Sequence, residues 1–140
     1  MHIAQMNWGK LKYLLQDKRM FEFAQSLNDV YGLAERHPGF IWRIPDDQVD
    51  TQLTNLGFDK YISATVSVWN DIDSLKDYTY NSLHGMYLKR SSEWFEIIDG
   101  PHLVIWNVEN NTHPTFKESF ARLEYLKDNG PSDYAYGWEK

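Results

Sequence analysis

"KYISATVSVW", Lys60 to Trp69, alternates more cleanly than any other stretch of the chain. Ile62, Ala64, Val66 and Val68 fall on one side of a strand, because successive side chains point to opposite faces. Tyr61, Ser63, Thr65, Ser67 and Trp69 fall on the other. The first side is aliphatic and is expected to pack under helices. The second is small, hydroxylated and flanked by rings, so it is either wetted or lines a polar, aromatic cavity.

The neighbouring elements can be read outward from this strand. Upstream, "GFIWRI" reads as a further strand closed by Pro45-Asp46-Asp47, and Gln48 to Asp59 as a polar, irregular connection. Phe23, Leu27, Val30 and Ala34 recur at helical spacing between about Lys18 and Arg36. His37-Pro38-Gly39 ends that helix, since proline restrains its predecessor and glycine permits a turn. The opening "HIAQMNW" alternates again, with Ala4, Met6 and Trp8 opposite Ile3, Gln5 and Asn7.

Downstream, Asn70 or Asp71 caps a helix that runs to about Phe95. A break is expected near Gly85, because glycine weakens a helix interior by roughly 1 kcal/mol against alanine. Gly100-Pro101 precedes a strand, "HLVIWNV", and "THPTFKESFARLEYLKDNGP" supplies a helix striped by Phe116, Phe120, Leu123 and Leu126. Asn129-Gly130-Pro131 stops it, and "DYAYGW" reads as a last short strand. The order β-α-β-β-α-β-α-β predicts one α+β domain over residues 1–140, a ferredoxin-like sandwich with an antiparallel sheet and helices on one face. The bare face then needs cover from solvent, a ligand or a second copy of the chain.

Composition narrows the partners. Hydrophobic residues at 42% and charged residues at 24% are ordinary for a globular chain of this length. Aromatic residues at 16%, with six Trp and nine Tyr, exceed what a small core needs and suggest a ring-lined cavity or interface. Fourteen Lys and Arg against twenty Asp and Glu leave no basic footprint for nucleic acid. The absence of cysteine removes disulfides, thiolate nucleophiles and cysteine metal sites. No apolar run approaches about 18 residues and the start carries no signal pattern, so a cytoplasmic protein without a membrane partner is expected.

Candidate site residues follow from residue type and face. If residues 80–94 are helical, Tyr80, His84, Tyr87, Ser91 and Trp94 share one side, a mixed aromatic and polar stripe. His84 is the candidate catalytic residue, a proton-transfer group that titrates near neutrality. Equally, it could be a structural histidine bonded to a backbone carbonyl. Arg43 could fork onto a carboxylate or phenolate, or pair with an acid of the chain. Trp42 points to the face opposite Arg43. Trp69, Trp94 and Trp106, with Tyr80 and Tyr87, complete the candidate substrate-binding set, and Gln5, Asn7, Ser63, Thr65 and Ser67 are polar candidates on the sheet. There is no HExxH, no His pair at i,i+4, no P-loop and no dinucleotide fingerprint, so neither metal nor cofactor is expected. Haem stays open, since one histidine ligand leaves no spacing to read.

Taken in order, "HIAQMNWGKLK", "AERHPGFIWR", "SVWNDIDSLKDYTY", "SLHGMYLKRSSEWF", "GPHLVIWNV" and "HPTFKESFARLEYLKDNGP" resemble the domain of unknown function 3291 family. That family resembles the dimeric α+β barrels of the antibiotic biosynthesis monooxygenase-like superfamily. The resemblance implies two protomers whose sheets close face to face. It also implies a small aromatic or apolar metabolite as ligand, and cofactor-independent monooxygenase-like or cyclase/isomerase-like chemistry using His84. The alternative is a non-catalytic homodimeric binding or regulatory module. One fold hosts many chemistries, so function rests on the site itself.

Overall fold

The computed structural model describes residues 1–81 and 90–138. Its elements are β1 (His2–Lys10), a 3-10 turn (Lys18–Met20), α1 (Phe21–Glu35), β2 (Phe40–Arg43), α2 (Asp46–Asn55), β3 (Ile62–Trp69), α3 (Ile72–Asn81), α4 (Ser91–Trp94), β4 (Leu103–Val108) and α5 (Phe116–Asn129). The four strands form one antiparallel sheet in the order β2-β3-β1-β4.

Alternation in the strands divides the interior into two cores. Ala4, Met6, Val66, Val68, Val104 and Trp106 pack on one face against Leu53 of α2 and Phe116 and Leu123 of α5. Ile3, Trp69 and Ile105 pack on the other against Val30 and Ala34 of α1 and Leu75 and Tyr78 of α3. Helices therefore cover both faces. The α2–α5 layer is tied together where the Phe116 backbone N–H donates to Gln52 Oε1 at 2.9 Å, satisfying an otherwise unpaired amide at the start of α5.

This arrangement corrects the expected fold class. The α+β class and the antiparallel sheet stand, but the helices are not confined to one face and the sheet is not closed into a dimeric α+β barrel. The face that barrel formation requires bare is filled by α2 and α5. With the barrel goes the monooxygenase-like reading that depended on it. Two local expectations also change. Gln48 to Asp59 is largely helical rather than irregular, and the tail contributes one bridge, Tyr136 to Ile105, rather than a strand.

Candidate functional site

A cavity of about 560 Å³ lies between α1, α3 and the sheet face that carries the odd-numbered residues of β1 and β3. Register explains its floor. Arg43, Ser67 and Gln5 sit in one row across β2, β3 and β1; Thr65 and Asn7 make the next, and Ser63 faces Gly9 beyond. Ser63, Thr65, Ser67 and Trp69, from the hydroxylated side of "KYISATVSVW", thus line this cavity, while Tyr61 of the same side does not.

The floor is hydrogen-bonded within itself. Asn7 Nδ2 donates to Gln5 Oε1 at 3.2 Å, and Gln5 Nε2 donates to Ser67 Oγ at 2.7 Å. The Trp69 indole N–H donates to the same Ser67 oxygen at 2.8 Å. Gln5 and Ser67 are only 3% and 5% exposed, so this network is desolvated. Overhead, Tyr31 hydroxyl lies 3.4 Å from Thr65 Oγ1, and Phe23, Leu27 and Val30 give α1 an apolar underside. Tyr78 donates to the Val30 carbonyl at 3.0 Å, and burial pushes its phenol pKa far up, so it stays neutral. Trp94 and Phe95 form the far end, where Phe95 packs on Gly9; a Cβ there would come within 2.5 Å of the ring.

The charged wall groups are already paired. Arg43 donates to Asp46 Oδ1 at 2.8 Å and to Glu35 Oε1 at 3.4 Å, with its guanidinium over the Tyr31 ring. Burial opposes its charge, but the Asp46 hydrogen bond and the Asp46 and Glu35 charges outweigh it and raise its pKa. Glu96 lies 3.7 Å from Lys10. His102 presents Nδ1 to the Trp8 carbonyl at 3.2 Å and Nε2 to the Ile98 carbonyl at 3.1 Å, and its ring stacks on Trp8.

Arg43, Trp69, Tyr80 and Trp94 of the expected set come together around this cavity. Trp42 and Trp106 do not. Trp42 faces the α2–α5 layer and stacks on His113, while Trp106 is fully buried in that second core. A shift in the β2–β3 register between Phe40 and Trp42 sets this choice. Without it, strict alternation would put Phe40 and Arg43 on opposite faces; both line the cavity. His84 and Tyr87 lie outside the described residues. Tyr31 and His102 are wall residues that carry no signal in the sequence, and Phe23, Leu27 and Val30 show there only as residues at helical spacing. Among the described residues no group of three His, Asp or Glu could hold a metal ion, and no helix is long and apolar enough to cross a membrane.

No curated protein and no solved structure matches the chain. The family described as "Domain of unknown function (DUF3291)" matches residues 2–140, nearly the whole length, and the chain belongs to that family.

Proposed function

We propose that this chain is a small-molecule binding module that takes an uncharged, flat, largely apolar ligand between α1, α3 and the sheet. The observation that carries this reading is a cavity of about 560 Å³ whose floor is a stripe of neutral hydrogen-bonding side chains beneath aromatic and aliphatic walls. Its volume falls within the range of about 300–1,000 Å³ usual for small-ligand sites. Pairing of Arg43 with Asp46 and Glu35 favours a neutral ligand over an anion, because an anion would compete with carboxylates already in place.

Among the described residues, His102 is the one histidine that lines the cavity, and its contacts favour binding over catalysis. His102 has both ring nitrogens directed at backbone carbonyls. His37 accepts from the Gly39 N–H at Nδ1 and holds Asp77 through Nε2. His37, like His2 and His113, does not line the cavity. The same reading includes a homodimer, and since both sheet faces are filled, two copies would meet through outer helix surfaces or the β2 edge.

Native mass spectrometry of protein purified from its own host tests this. A bound mass of small-molecule size, released on unfolding, is the expected result. A ligand-free protein whose thermal stability no neutral aromatic compound raises would overturn it. The same spectra report subunit number.

A further inference from the structure

We infer that Ser67 is the donor by which the cavity recognises its ligand, and that the ligand is a neutral planar aromatic bearing a carbonyl oxygen. The inference rests on the binding reading above and gives that site a ligand class. A hydroxyl has two lone pairs and one proton. The Trp69 indole can only donate, and it takes one lone pair of Ser67 Oγ at 2.8 Å. The Gln5 amide, whose oxygen accepts from Asn7, turns its nitrogen to the other at 2.7 Å. Both acceptor positions are then used, and the Ser67 proton is left to donate.

Among the described residues that proton meets no acceptor, although Ser67 is 5% exposed and lines the cavity. A buried donor without a partner is costly, so an acceptor supplied from the cavity is favoured. Arg43, the register partner of Ser67, does not call for a charged acceptor because Asp46 and Glu35 neutralise it. The aromatic walls supply the contact area for a flat body, and the Ser67 hydroxyl a polar contact that orients it.

The test uses two fluorescent probes on the full chain: 6-propionyl-2-(dimethylamino)naphthalene, and its analogue with the carbonyl reduced to a methylene. The ketone is expected to bind about tenfold more tightly, as one well-placed hydrogen bond gives. Its carbonyl infrared band is expected to move to lower wavenumber than in alkane solution. In Ser67→Ala the preference and the band shift should both vanish while the methylene analogue keeps its affinity. Equal affinities with an unshifted band, or a preference that survives Ser67→Ala, would overturn the role of Ser67 and leave the cavity reading standing. If neither probe binds, both fall. Should Ser67→Ala fail to fold, the wild-type affinity ratio and band position decide alone.

Discussion

Trp42 lies flat on His113, with ring centroids 4.3 Å apart and 3° between the planes. The pair joins β2 to the segment entering α5, at the margin of the core that α2 and α5 bury. Trp42→Ala should therefore cost about 2 kcal/mol in urea unfolding, below the roughly 3–5 kcal/mol of a fully buried ring because Trp42 is half-buried. His113→Ala should cost less, and a double-mutant cycle should return a coupling of about 1 kcal/mol. Because the pair sits on the face away from the cavity, the affinity of the ketone probe should not change in either variant. A large loss of affinity in Trp42→Ala would show that the two faces are not independent.

Gly39 stands against Ser74 at the start of α3, and a Cβ at Gly39 would collide with both the Ser74 hydroxyl oxygen and its Cβ. Gly39→Ala should destabilise the chain by about 2 kcal/mol, as overpacking does. Ser74→Gly alone should cost about 0.5 kcal/mol in helix propensity. Combined with Gly39→Ala it should nonetheless recover stability by making room. A double variant weaker than Gly39→Ala alone would place the strain elsewhere.

How far the sequence could be read follows from the same contacts. Lys60 to Trp69 declared its two faces, because a strand buried on one side by aliphatic residues and on the other by hydroxyls and rings has a period that nothing blurs. The helix at Asp46–Asn55 leaves a weak periodic signal because Leu53 is its one buried residue. Yet Val49, Leu53 and Leu56 recur at helical spacing, and Asp46 and Asp47 sit in the first turn, where the helix dipole favours acids. That helix is half of what fills the sheet face turned away from the cavity, so a reading without it leaves the face bare and implies a barrel. The floor residues Gln5 and Ser67 could be named from alternation alone. Their meeting depends on the β1–β3 register, and the placing of Arg43 beside them depends on the β2 irregularity, and neither leaves a mark in the order of residues.

Arg43 separates structural charge from ligand-binding charge. Arg43→Met keeps the bulk over Tyr31 but leaves Asp46 and Glu35, both exposed, to water. Stability should fall by about 1 kcal/mol, the loss of a partly exposed ion-pair cluster. Affinity for the neutral ketone should stay within about threefold of wild type. Calorimetry on both proteins checks the two numbers together, and a tenfold loss of affinity would assign Arg43 to the ligand after all.

Acid should loosen α3 through two carboxylates. Asp71 caps the helix by accepting from the Ser74 backbone N–H at 2.7 Å, and that bond holds its pKa below the usual 3.8. Asp77 takes His37 Nε2 at 2.8 Å and Asn81 Nδ2 at 3.1 Å, and the His37 bond lowers its pKa first of all. A carboxyl whose folded pKa is depressed stabilises fully above its unfolded value and loses that contribution as pH falls through the folded one. Wild-type unfolding midpoints in urea should therefore drop below about pH 4. Asp71→Asn and Asp77→Asn should each start lower at pH 7 and fall less steeply over that acid range. The Asp77 effect should be the more salt-sensitive, since its partner is an ionisable ring rather than a backbone amide. Parallel acid limbs in wild type and both variants would mean that neither carboxylate is linked to folding.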